Sequence, residues 1–152
     1  MYKIVVTDIH VITRLYRIGL LKYFNSSEVA FYITDLCYGD LNSVFQSDRI
    51  FSKRLIDEGI LHVVSSDSDD IREVQKYYTV FHPMFVVKTV SAMVFAKRFN
   101  YRLLTNDELL SDVAQKKMGL KVSGKEWLVA NLVGDIGAMG FNLDEDLIYE
   151  LI

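Results

Sequence analysis

The sequence is poor in several features at once, and each shortage excludes something. It holds one cysteine, Cys37, and one proline, Pro83, in 152 residues. A lone cysteine excludes a disulfide within the chain and any cysteine-rich zinc motif. Cys37 lies in the run Ile33-Thr34-Asp35-Leu36-Cys37-Tyr38, where a free thiol reads as a small buried hydrophobe rather than a reactive group. Long apolar runs are missing too. The densest stretch, Met84-Phe85-Val86-Val87, is cut by Lys88, far short of the roughly 18 residues a membrane span needs. The opening MYKIVVTDIH is too briefly apolar for a signal peptide and is broken by Asp8. A cytoplasmic protein with no membrane partner is therefore expected. Nor is there an excess of positive charge: 17 Lys and Arg stand against 20 Asp and Glu, a net charge of −3. That argues against a chain that coats nucleic acid by charge alone.

What remains is an ordinary globular composition, 51% hydrophobic and 24% charged, which excludes a disordered chain. The length suits one domain with a sizeable core, and no Ser/Gly-rich linker interrupts residues 1–152. The acids are unevenly spread. Residues 135–152 carry Asp135, Asp144, Glu145, Asp146 and Glu150 and no Lys or Arg, so residues 1–134 are left with a net charge of +2. A mildly basic body is followed by an acidic, helical tail.

Short β-branched runs alternate with helical periods. Lys3–Thr7, Val29–Thr34, Ile60–Val64, Tyr101–Leu104 and Leu120–Ser123 read as strands. Helical spacing covers Val11–Phe24, residues 35–46 and 47–58, Asp67–Tyr78, Val86–Phe99, Asn106–Met118 and a segment from Lys125. Strands separated by helices imply parallel βαβ units, and so a three-layer α/β/α fold around a parallel sheet of about five strands.

Three of these strands end in an acid: Val6-Thr7-Asp8, Ile33-Thr34-Asp35 and Leu104-Thr105-Asn106-Asp107. The carboxyl ends of parallel strands line the ligand crevice of open α/β sheets. Carboxylates brought together there repel unless a proton or cation sits between them, and oxygen-only ligands favour Mg²⁺ or Mn²⁺. Asp, Thr and Asn are equally the natural N-caps of the helices that follow strands. Thr105 with Glu108 fits a capping box, with Thr105 as the cap. A phosphoacceptor receiver domain also carries acids at strand ends, but the adjacent acid pair after its first strand is missing here.

Two stretches resemble the PIN domain family, and the likeness extends over roughly residues 1–133. IVVTDIHVI is similar to the family's first strand with its Asp. AKRFNYRLLTNDELLSDVAQKKMGLKVSG is similar to its small-residue helix, strand, Thr-x-Asp, second helix, and short strand ending in Ser-Gly. The resemblance implies a Mg²⁺- or Mn²⁺-dependent ribonuclease, of a kind often found as the bacterial toxin of a toxin–antitoxin pair. It implies RNA as substrate and an antitoxin or other protein as partner. It also implies Asp8, Asp40 and Asp107 as metal-binding catalytic acids.

The chain departs from the family pattern at three points. Asp40 replaces the usual Glu, Thr89 occupies the position of a further acid, and Ile9-His10 replaces Thr-Asn. Fewer anionic ligands weaken divalent-metal binding. The same resemblance therefore also admits a catalytically impaired homologue that serves as a binding or protein-interaction module. Thr7, His10, Asp35, Thr89, Thr105 and Asn106 are auxiliary candidates around the acids. His62 and His82 show no ligand spacing. Arg14, Arg17, Lys97, Arg98, Arg102, Lys116, Lys117 and Lys121 are candidate RNA contacts that form no dense patch interleaved with aromatics. Tyr77–Val86 reads as an aromatic loop suited to covering the site or to a homodimer contact. Leu143–Ile152 pairs acids with apolar residues at helical spacing, as a docked terminal helix or a partner contact would.

Overall fold

Five short aliphatic segments build one sheet: β1 (Tyr2–Val6), β2 (Val29–Thr34), β3 (Leu61–Val64), β4 (Arg102–Leu104) and β5 (Val122–Ser123). The computed structural model describes residues 2–17, 19, 29–39 and 46–138. The strands pair in the order β3-β2-β1-β4-β5, and every pairing is parallel. Parallel neighbours need crossover connections, which here carry helices. Among the described residues the helices are α1 (His10–Arg17), α2 (Asp35–Gly39), α3 (Gln46–Asp57), α4 (Ser68–Phe81), α5 (Val87–Phe99), α6 (Glu108–Met118) and, after the last strand, α7 (Lys125–Ala138). The result is the three-layer α/β/α architecture expected from the alternation of strand and helix patterns.

Central strands of such a sheet are covered on both faces, so they need continuous apolar runs rather than alternation. Ile4, Val5 and Val6 of β1 are all buried, as are Phe31 and Ile33 of β2. Helix α5 buries Val90, Ser91, Ala92, Met93, Val94 and Ala96, and its small residues allow its backbone to lie close to the sheet. Truncating Met93, which is fully buried, to Ala would cost roughly 2–5 kcal/mol.

A polar pin joins β2 to α5. Ser91 Oγ donates to the Lys88 carbonyl at 2.6 Å, which uses its only proton. Thr34 Oγ1 must then donate to Ser91 Oγ, 2.7 Å away, while accepting the Cys37 N–H at 3.3 Å. Cys37 is buried beside this pair, with Sγ 3.1 Å from the Lys88 carbonyl. Burial pushes its thiol pKa up, which suits a packing role.

One element differs from the sequence reading. The run Tyr77–Val86 is not all loop. Helix α4 continues through Phe81, because Phe81 and Phe85 are buried and anchor both sides of the turn in the core. Helix α1 is described to Arg17 and α2 to Gly39. The remainder of the expected 11–24 and 35–46 helices, Asp40 included, lies outside the described residues, apart from Gly19 and the start of α3. So does residues 139–152 of the acidic tail. Among the described residues no helix is long and apolar enough to cross a membrane.

Candidate active site

The strand order decides where a ligand can enter. From β1 the chain steps outward through β2 to β3, then crosses back to β4 and on to β5. Connections therefore leave β1 and β4 in opposite directions, and a crevice opens at their carboxyl ends. A cleft of about 560 Å³ lies there. Its walls include Thr7, Asp8, His10, Arg14, Thr89, Thr105, Asn106, Asp107 and Lys125, with Met84, Phe85 and Val86 forming an apolar side.

Asp8 follows β1 and is exposed. Its Oδ1 accepts the His10 N–H at 2.9 Å, an Asx turn that opens α1. Asp107 follows β4 and caps α6, with Oδ1 accepting the Leu110 N–H at 3.0 Å. The cap is thus Asp107, not Thr105. Helix α6 begins at Glu108, too late for a Thr105 box, and the Thr105 hydroxyl instead accepts the Asp107 N–H at 3.1 Å. Each carboxylate is held by one oxygen. Among the described residues the other oxygen of each takes no hydrogen bond or ion pair.

Asn106 has a different task. Its Oδ1 accepts the Lys125 N–H at 2.9 Å and so seats the start of α7 against the β4 loop. Gly124 makes this contact possible. A Cβ on Gly124 would lie 2.6 Å from Asn106 Oδ1 and 2.7 Å from Glu126 Oε2. Lys125 reaches the cleft as a result, a residue the sequence reading had not singled out. Its only sequence signal is its place directly after the Ser-Gly of β5.

Asp35 does not join the cleft wall. Its Oδ1 accepts the Ser66 hydroxyl at 2.9 Å and its Oδ2 the Ser66 N–H at 3.1 Å, so it ties the ends of β2 and β3 together. That placement follows from topology, since β2 and β3 lie on the outward side of β1, away from the crevice. Thr89, the third residue of α5, is half-buried in the wall. Asp40 lies outside the described residues. Among the described residues no group of three or more His, Cys, Asp or Glu side chains gathers as a metal site. The donor set that is present, two carboxylates among hydroxyls, fits Mg²⁺ or Mn²⁺ in its commonest protein setting. There one or two carboxylates and a substrate phosphate hold the ion and water completes the shell.

No protein-family model matches this sequence, and no curated protein matches it. Solved structures do match. VapBC-1 from nontypeable Haemophilus influenzae aligns with a TM-score of 0.55 at 14% identity, covering 82% of this chain and 98% of that one. VapBC2 from Rickettsia felis, in a structure bound to a DNA fragment from their promoter, aligns with a TM-score of 0.54 at 14% identity and the same coverage.

The chain has a PIN-like fold. Within that PIN-like frame, four of the eight basic residues considered for RNA contact serve the fold itself. Arg98 pairs with Asp67 and Asp70, and Lys116 with Asp112. Lys97 donates to the Tyr77 hydroxyl, and Arg102 to Ser123 Oγ while lying over the Trp127 ring. Arg14 and Lys125 are the basic side chains that line the cleft. Arg14 lies one helical turn beyond His10, so both face the same way.

Proposed function

We propose that this PIN-like chain is a divalent-metal-dependent ribonuclease and the toxin of a toxin–antitoxin pair. One observation carries the reading: Asp8 and Asp107 stand at the carboxyl ends of the two strands flanking the crevice, in a wall that also holds Arg14 and Lys125. Asp8 and Asp107 would hold Mg²⁺ or Mn²⁺ through the carboxylate oxygens not spent on backbone N–H groups, with Asp40 as a third ligand. When bound, such an ion acidifies water and neutralises charge on a phosphodiester. Arg14 and Lys125 hold non-bridging phosphate oxygens, and His10 supplies a proton-transfer group at the cleft mouth. Thr7, Thr89 and Thr105 offer hydroxyls to the phosphate or to ordered water. The likeness to VapBC structures supports the pairing with an antitoxin. The whole of residues 1–152 forms one PIN-like domain in this reading.

The test is cleavage of single-stranded RNA by the purified chain in Mn²⁺. The expected outcome is cleavage that Asp8→Asn abolishes. No cleavage across a panel of RNAs, together with no Mn²⁺ binding by calorimetry, would overturn the reading.

One observation favours a second reading. Thr89 supplies no charge where an acid would stand, which lowers the anionic ligand count. A chain so impaired would act as a binding or protein-interaction module. It would form a stable complex with its partner and show no turnover, and RNA cleavage by the purified chain would exclude it.

A further inference from the structure

One face of the sheet carries a group of rings that no single sequence segment contains. Tyr32 of β2 lies at its centre. The His62 ring of β3 stacks on it, with centroids 5.0 Å apart and planes at 28°. Tyr101 approaches from the other side at 5.0 Å. Register explains the first contact, because Tyr32 and His62 are direct partners across the parallel pair and so share a face. The end of α5 explains the second. Asn100 takes the left-handed conformation at φ 55°, and the Tyr101 N–H returns to the Ala96 carbonyl at 2.9 Å. This helix stop folds Tyr101 back against Phe95 and Phe99, at 5.7 Å from each. Lys3 of β1 completes the group. Its Nζ lies 5.1 Å above the Tyr101 ring and 3.3 Å from the Tyr101 hydroxyl.

The group is accessible. Phe99 is 45% exposed, and Lys3 and His62 are exposed. Tyr32 and His62 stand level with Val5 of β1, and none of Lys3, Tyr32, His62 and Tyr101 lines the cleft. Lys3 lies five positions before Asp8 along β1 and its exit, roughly 15–20 Å at about 3.3 Å per residue. Flat rings beside a cation match the chemistry of single-stranded nucleic acid, which offers base faces to stack and a phosphate to pair. A duplex hides its base faces. Burial and the neighbouring Tyr101 push the Tyr32 phenol pKa up, so the ring stays neutral and does not repel phosphate.

We propose that Tyr32, His62, Tyr101 and Lys3 form a nucleobase-stacking platform for a segment of single-stranded RNA, separate from the cleft. His62, at the edge strand, presents the outer ring face to a base, and Lys3 takes a phosphate farther along the same segment.

The test is fluorescence anisotropy with a labelled octa-adenylate in EDTA, which stops any cleavage. It therefore fails or succeeds independently of the ribonuclease reading. His62→Ala should weaken binding about tenfold, and His62→Trp should keep it at least as tight. Lys3→Ala should reduce the dependence of log affinity on log salt by about 0.7, one phosphate contact on a single strand. Lys53→Ala, at an exposed position of α3 away from both sites, should leave binding unchanged, and a duplex should not compete. Unaltered binding by both His62→Ala and Lys3→Ala would overturn the proposal. So would no binding of octa-adenylate by the unmodified chain.

Discussion

The Asn106 side-chain oxygen accepts the Lys125 backbone N–H at 2.9 Å, across the one place where a Cβ on Gly124 would collide with it. This contact joins the β4 loop, which carries Asp107, to the first residue of α7. Gly124→Ala should push Asn106 aside and cost about 1 kcal/mol, the net worth of one hydrogen bond. Asn106→Ala should cost a similar amount. The double variant should lose less than the sum, because each change breaks the same contact. Urea unfolding of the four proteins measures this, and strict additivity would show that the contact is not shared.

Asp107 has two separable duties. Asn caps helices as well as Asp does, so Asp107→Asn should unfold at nearly the native temperature. Asp107→Ala should lose about 1 kcal/mol, a melting shift of roughly 2–4 °C for a domain of this size. Both should abolish Mn²⁺-dependent cleavage. If Asp107→Asn cleaves at the native rate, the carboxylate charge is not needed and Asp107 is a cap alone.

Thr89 offers a gain rather than a loss. It sits in the cleft wall at the third residue of α5, a place where an acid also suits the helix N-terminus. Thr89→Asp should tighten Mn²⁺ binding on the order of tenfold, by adding an anionic ligand. It should also destabilise the metal-free protein through repulsion from Asp8 and Asp107. Calorimetry with Mn²⁺ and melting in EDTA read the two effects, and an unchanged Mn²⁺ affinity would place Thr89 out of reach of the ion.

The start of α4 predicts a pH effect. Asp67 accepts the Asp70 backbone N–H, and this bond with the Arg98 guanidinium holds its carboxyl below the ordinary value of 3.8. The folded form therefore favours the charged carboxylate. Its contribution is fully present above that value and is lost as pH falls through the depressed folded value. Asp67→Asn keeps an oxygen for the cap and removes the charge. Unfolding free energy measured from pH 6 down to pH 2 should fall less steeply in this variant than in the native chain. Parallel curves would show that the ion pair adds nothing.

Local patterns reached far into this fold. All five strands could be read because buried parallel strands need continuous β-branched and aliphatic runs. The stop of α6 could be read from Gly119, which takes the left-handed conformation there. Asp8 and Asp107 could be read as crevice residues because a strand's carboxyl end is a local feature. The limits of that reading are also physical. Asp35 has the same local setting as Asp8, a Thr and then an acid at a strand end. Only strand order sends it to Ser66 instead of the cleft, and strand order is a property of crossovers between distant segments. Lys125 enters the cleft through a side chain nineteen residues away, and Gly124 shows its importance only through a steric clash. Tyr32, His62, Tyr101 and Lys3 come from different elements, and no spacing along the chain links them. The sequence by itself determined the layers, the strands and the acids at their ends, because burial and capping act over a few residues. Only the tertiary structure decided which acids share a crevice and which rings share a face, because both depend on contacts between parts of the chain far apart.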